Sequence, residues 1–157
     1  MNYTNETMDS AIRQKPLRGV RFEANDAEVF FANLDTLMDV TVYEWYVDDV
    51  ELNYHSIPEG KYSGQEFKDE LLALSGMSFA RIRRYPVGSA IDSINTYEDY
   101  LKSNCDMLVL FYDGGFYEIY EKEETLAQKT YVFCSENGFQ KVEYIRDDND
   151  ERYRMYF

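Results

Sequence analysis

Hydrophobic and polar positions along this chain follow two rhythms. Leu17 to Ala24 alternates with period two: Val20, Phe22 and Ala24 fall on one face, Gly19, Arg21 and Glu23 on the other, as in a strand with one side in a core. Asn25 or Asp26 then caps a helix in which Val29, Phe30, Leu34, Leu37 and Met38 share one side of a 3.6-residue period. Thr41 to Val47 is β-branched and aromatic and predicts a second strand, which Asp48-Asp49 turns into a short partner over Val50 to Tyr54. His55 to Tyr62, with Pro58 and Gly60, reads as loop. Ser63 and Glu66 have the spacing of a capping box, and Phe67, Leu71, Leu72 and Leu74 continue at helical spacing to Gly76. Phe79 to Tyr85 predicts a third strand closed by Pro86. After a Gly/Ser/Asn-rich connection over 87–95, Thr96 caps a short helix with Tyr97, Tyr100 and Leu101 facing inward.

The densest apolar run is Met107-Leu108-Val109-Leu110-Phe111-Tyr112, six residues without a polar interruption, as expected of a strand buried on both faces. Asp113-Gly114-Gly115 supplies a tight turn, and Phe116 to Glu121 returns with a polar-flecked pattern, a neighbour nearer water. Glu123-Glu124-Thr125 starts a helix with acids where its dipole favours them, and Leu126, Thr130, Phe133, Cys134 and Asn137 line its inner face up to Gly138. Lys141–Ile145 and Glu151–Phe157 predict two last strands joined by Asp147-Asp148-Asn149-Asp150, with Val142, Tyr144, Tyr153, Met155 and Phe157 toward the helices. This order predicts a single α+β domain over 17–157, a mixed or mostly antiparallel sheet with three to four helices packed on it. Residues 1–16 read as an N-terminal appendage, a short stripe of Met8, Ala11 and Ile12 stopped by Pro16.

Composition narrows the function classes. At 157 residues and 45% hydrophobic, the chain can bury a core without staples. No run approaches the roughly 18–20 apolar residues of a membrane span, and Met1 to Lys15 has no apolar centre of the kind a secretory signal carries. Two cysteines, Cys105 and Cys134, are too few for a disulfide framework, and the expected home is the cytoplasm. Thirty acids against 16 bases leave a net charge of −14. That field disfavours direct binding of nucleic acid or anionic membrane and favours basic partners. Fifteen Tyr and 10 Phe, many tyrosines alternating with acids, suit half-buried strands and protein interfaces alike.

The residue pattern predicts no catalytic, metal or cofactor set. His55 is the single histidine, and a nucleophile needs a base that is itself oriented. Cys105 and Cys134 read as packing thiols. Asp147 to Glu151 is rich in oxygen ligands but lacks the mid-loop glycine and distal glutamate of a calcium loop, so it reads as a solvated turn. Gly114-Gly115 is a hairpin tip with no helix behind it, which separates it from the phosphate-binding glycine loops. Arg81, Arg83 and Arg84 form a basic island on the third strand, expected to pair with internal carboxylates.

Two stretches carry a resemblance. Leu17-Arg18-Gly19-Val20-Arg21-Phe22-Glu23, and Asn137-Gly138-Phe139 through Val142-Glu143-Tyr144-Ile145 to the acidic turn at 147–150, resemble an uncharacterised family of small Bacillus-type bacterial proteins, a domain of unknown function. That family has an RG-x-x-FE strand near its start and an NGF-x-x-(V/I)EYI-type strand with an acidic turn near its end. The resemblance covers 17–157, leaves out 1–16, and implies no activity and no functional residue.

The leading expectation is therefore a non-catalytic acidic module that inhibits, neutralises or regulates a basic protein partner, as immunity proteins, antitoxins and phage inhibitors do. From 98 to 124 the acids Glu98, Asp99, Asp106, Asp113, Glu118, Glu121, Glu123 and Glu124 stand against Lys102 and Lys122. The expected partner surface is the helix carrying Tyr97, Glu98, Asp99 and Tyr100 together with Tyr117, Glu118, Tyr120 and Glu121. One alternative is a DNA mimic that blocks a nucleic-acid-binding enzyme. Another is a small enzyme or ligand-binding domain beside the third strand, with Arg83, Glu66 and His55 as its polar groups.

Overall fold

The apolar run at Met107–Tyr112 is the middle of a seven-stranded sheet whose strands, in order across it, are Gly60–Tyr62, Tyr43–Leu52, Met77–Pro86, Met107–Tyr112, Phe116–Glu121, Leu17–Glu23 and Gln140–Arg146. The computed structural model describes residues 16–24, 27–52, 57–71, 74, 77–113 and 115–157. The strands are β1 (Leu17–Glu23), β2 (Tyr43–Leu52), β3 (Gly60–Tyr62), β4 (Met77–Pro86), β5 (Met107–Tyr112), β6 (Phe116–Glu121) and β7 (Gln140–Arg146). Every pairing among them is antiparallel. The helices are α1 (Ala27–Ala32), α2 (Leu34–Leu37), α3 (Gly64–Glu70), α4 (Tyr97–Lys102) and α5 (Glu124–Glu136), with a 3₁₀ turn at Val40–Val42. The domain is α+β, as expected, but strand-rich.

Because side chains alternate along each strand, cross-strand register sorts the sheet into rows. On the first face, Val47, Ile82, Val109, Ile119, Val20 and Tyr144 lie side by side across six strands. Beside them Ala80, Phe111, Tyr117 and Phe22 form a second row. Helices α1, α2, α3 and α5 cover this face. The Phe22 ring stacks on Tyr117 at 4.6 Å, and Phe30, Phe31 and Phe111 close round the same tyrosine. At the other end Phe67 of α3 stacks on Trp45 at 4.3 Å, while Trp45 Nε1 donates to the Val40 carbonyl. The first residue of α3 must be glycine. A Cβ on Gly64 would stand 2.3 Å from the Thr41 carbonyl oxygen, so the helix approaches that turn backbone to backbone.

The second face carries charge. Asp48, Arg81, Leu110, Glu118, Arg21 and Glu143 make one row, alternating in sign around a single leucine. Among the described residues no long helix covers it. The loop over 87–95, α4 and the C-terminal segment 151–157 cross it instead, enclosing a second core of Tyr85, Ile94, Tyr100, Cys105, Leu108, Leu110, Tyr120, Ile145 and Met155. Arg81 fastens this layer. Its Nε and Nη2 bond the Asp48 carboxylate at 2.7 and 2.5 Å, and Nη1 donates to the carbonyls of Ile94 (2.6 Å) and Met155 (3.1 Å). Arg83 donates to the Asp92 carbonyl and the Tyr85 hydroxyl, and Arg84 to Asp106 at 2.6 Å. All three arginines are buried, and each meets a carboxylate as expected, Arg83 lying 3.6 Å from Asp48.

Several expected elements are redrawn. Asp48-Asp49 does not end β2. Asp49 takes a φ of 50° in a bulge, the register slips between Asp48 and Glu51, and the strand runs on against β4. The residues expected as a loop supply β3 at Gly60–Tyr62. The helix expected up to Met38 breaks at Asn33 into two short pieces, which turns Phe31 as well as Phe30 inward. Leu101 faces solvent. The segment over 151–157 is no strand: it lies across the sheet rather than beside it, joined by one bridge between Thr96 and Arg154, and its Tyr153 points outward. Caps expected at Asn25 or Asp26, the side chain of Val29, Leu72, His55, Gly114 and the stripe at Met8, Ala11 and Ile12 lie outside the described residues.

The acidic turn after β7 also has structure. Asp147 N donates back to the Pro16 carbonyl beside β1, so the backbone of the alternate residues Tyr144 and Arg146 faces away from β1. Asn149 meets it there. Its Oδ1 accepts from Arg146 N (2.7 Å), its Nδ2 donates to the Tyr144 carbonyl (2.9 Å), and its own N donates to the Arg146 carbonyl (3.3 Å).

Replacing Arg81 by leucine strips Asp48 of its fork and two carbonyls of their donor. The expected loss is about 3–5 kcal/mol of unfolding free energy in urea, with early hydrogen exchange at Met155 N. Loss under 1 kcal/mol would show that Arg81 does not hold the layer.

Candidate functional site

The second face is left open at one end. Beyond the C-terminal segment, strand alternation brings Phe116, Tyr112, Glu23, Arg21, Glu118 and Glu143 to the same side. They line a cavity of about 230 Å³ together with Lys141. A more open groove of about 480 Å³ adjoins it along Asp150 to Arg154. The cavity lies below the roughly 300–1,000 Å³ of a typical small-molecule pocket. It has the size for one long side chain.

Aromatic rings form its ledge. Tyr112 stacks on Phe116 at 5.4 Å, Phe157 meets Tyr112 edge-on at 5.8 Å, and Phe79 meets Phe157 at 5.4 Å. Phe116 is 38% exposed, Phe157 42%, and Tyr153 across the groove 73%, so the ledge presents apolar area to solvent.

Behind the ledge the charges are paired in graded fashion. Glu118 is buried and takes two bonds from Arg152, at 2.8 and 3.1 Å, with the Tyr120 hydroxyl on its other oxygen. Arg21 is held by Glu143 (3.1 Å) and by the Asn149 carbonyl (2.6 Å). Arg18 joins Asp147 and Asp150, and Asp150 also accepts from Tyr120. The acidic turn is thus a counter-ion for arginines. The outermost pair, Glu23 with Lys141 at 3.2 Å, is loosely held, for the lysine is 76% exposed.

The residues expected to meet a partner fall elsewhere. Tyr100, Tyr117, Glu118, Tyr120 and Glu121 are all buried, so they present no docking surface. The reason is that β6 is covered on both faces: its odd residues face the helices, and Glu118 and Tyr120 face the C-terminal layer. A pattern that reads as half-wet is interior from Tyr117 to Glu121. Tyr97 is half-buried beneath the Arg18 guanidinium, 3.9 Å from its ring centroid. Asp99 completes the capping box of α4 with Thr96. Glu98 is exposed beside Lys102. The exposed aromatic surface of this hairpin is its tip, Tyr112 and Phe116, and the signal for it was the unbroken aromatic pair flanking the turn.

Of the groups of the expected enzyme site, Arg83 and Glu66 are not brought together. Arg83 lies on the second face, whereas Glu66 caps α3 over the first, and His55 lies outside the described residues. Cys105 and Cys134 are buried free thiols. Burial raises the Cys105 thiol to about 12, and its Sγ donates to the Met107 carbonyl. Among the described residues no three His, Cys, Asp or Glu side chains converge to hold a metal ion. No helix among them is long and apolar enough to cross a membrane.

A family model described as a protein of unknown function (DUF2691) matches residues 17–156, from the first residue of β1 almost to the C-terminus. The chain belongs to the DUF2691 family. The strand motifs that carry the resemblance lie in β1 and β7, side by side in the sheet. The DUF2691 chain is also 27% identical over 149 residues to the uncharacterised protein YncE of Bacillus subtilis (strain 168), covering 86% of this chain and 95% of that one. No solved structure matches it.

Glu121 gives the DUF2691 domain a pH signature. Burial raises its carboxyl to about 8, against smaller opposing effects of the Thr130 hydroxyl (2.9 Å) and Arg84. The folded state therefore holds this proton more tightly than the unfolded chain, where the carboxyl titrates near 4.5. That stabilisation is complete below about pH 4.5, declines as the pH rises, and is gone above about pH 8. Glu121→Gln keeps the shape and cannot ionise. Its unfolding free energy in urea is expected to gain on the wild type between about pH 4.5 and 8 and to hold that lead above, the gap reaching on the order of a few kcal/mol. Parallel curves for the two proteins would refute the assignment.

Proposed function

We propose that this DUF2691 chain is a non-catalytic acidic binding module that inhibits, neutralises or regulates a protein partner with a basic surface. The observation that carries the reading is the ledge at Tyr112, Phe116, Phe157 and Tyr153: solvent-facing rings beside a groove, on a chain of net charge −14. Rigid aromatics of this kind supply anchors at low entropic cost. The distribution of charge supports it further. Arg81, Arg83 and Arg84 are retired into buried pairs, while Glu98, Asp113, Glu123, Glu124 and Glu151 stand in solvent. The net charge of −14 sets an acidic external field, and such a field speeds encounter with a basic target.

The test is recovery of a binding protein on the immobilised chain, followed by affinity measurement with the purified partner. Phe116→Ala combined with Tyr153→Ala removes exposed rings, so thermal unfolding should hardly move while affinity falls by about tenfold or more. Association should slow steeply with added salt. A partner that binds the double variant as well as the wild type, at a rate indifferent to salt, would sink the reading.

A further inference from the structure

Three times among the described residues a guanidinium lies over a tyrosine ring with a carboxylate at its edge. Arg18 sits 3.9 Å from the centroid of Tyr97 and 2.7 Å from Asp147. Arg84 sits 3.9 Å from Tyr43 and 2.6 Å from Asp106. Arg83 sits 4.7 Å from Tyr46 and 3.6 Å from Asp48. In the first two the arrangement combines the attraction of a cation for a ring face with a charge-assisted hydrogen bond, and the planar guanidinium serves both at once where an ammonium serves only one well.

The cavity at the ledge holds the other two parts. Phe116 presents its ring, and Glu23 lies directly across from it in register on β1. Among the described residues no guanidinium lies over Phe116 or Tyr112. The carboxylate can be freed at small cost, because its pair with the exposed Lys141 is of the surface kind worth about 0–1 kcal/mol. Glu118, by contrast, is already held by two bonds from Arg152 and has nothing to offer. The volume of about 230 Å³ fits a single long side chain rather than a cofactor.

We infer that this cavity receives one arginine side chain of the partner protein, stacked on Phe116 and bonded to Glu23. The inference rests on the reading of the chain as a binder of a basic protein, and it fixes which basic residue is recognised and where. Lys141 is displaced toward solvent as the guanidinium enters. Negative charge alone would treat arginine and lysine alike. This site prefers arginine.

The test uses the full chain and two synthetic hexapeptides of equal charge, hexa-arginine and hexa-lysine, titrated while the backbone amide resonances are followed. Hexa-arginine should bind about fivefold tighter, with the largest shifts at Glu23, Tyr112 and Phe116. Phe116→Leu keeps apolar area but has no ring face, and should erase the preference. Phe116→Tyr should retain it. Glu23→Gln should weaken hexa-arginine by about threefold to tenfold. Equal binding of the two peptides, shifts centred on Glu98 and Asp99 instead, or a preference that survives Phe116→Leu would each overturn the inference. If the peptides fail to discriminate while the natural partner still requires Phe116 and Tyr153, the arginine assignment falls and the binding reading stands. If the partner ignores those rings as well, both fall.

Discussion

A guanidinium buried on a sheet face has five donors to satisfy and no water to do it, and the second layer of this domain is built on that demand. Arg81 draws Asp48 from the neighbouring strand, the Ile94 carbonyl from the loop and the Met155 carbonyl from the C-terminal segment to one point. None of those last two segments is regular secondary structure. Their placement comes from hydrogen bonds to a charged centre more than from propensity. Arg152 repeats the arrangement on Glu118. The cost of leaving either charge unpaired in the interior, several kcal/mol, explains why chain ends without a strand ladder can still close a core.

How far the fold is legible from residues follows from this. The first face obeys local rules: the period-two run of β1, the unbroken apolar run of β5, the capping boxes at Ser63 and Thr96 and the helix over Glu124–Glu136 are local signals, and the structure agrees with each. The second face obeys pairing rules between residues dozens of positions apart. Glu151 to Phe157 has the letters of a strand, yet Arg81 and Glu118 hold it across the sheet. The bulge at Asp49 is likewise settled by β4, against which the whole of β2 must lie.

The candidate site was half legible for the same reason. Reading Tyr117 to Glu121 as a wet surface assumed that one face of β6 meets solvent. Nothing local says that a distant segment covers it. The turn between β5 and β6 did mark the right hairpin, but the exposed rings are those flanking the turn, Tyr112 and Phe116, where the covering layer ends. The arginine island on β4 was rightly expected to find carboxylates, since so acidic a chain supplies them at short range. What spacing does not convey is that those pairs are interior, so the basic island forms no part of the outer surface.

The turn after β7 has a consequence for how copies of this protein coexist. An outermost strand exposes a row of amides and carbonyls on which another chain can template itself, the route to fibres and runaway association. One edge of this sheet, β3, is only three residues long. The other, β7, has seven, and Asn149 folds back to occupy its outward groups at Tyr144 and Arg146 with a side-chain amide that imitates a neighbouring backbone. A single asparagine thereby acts as a stopper on the long edge. That end of the long edge is thereby closed to a second strand, while Phe116 and Tyr153 keep their rings in solvent.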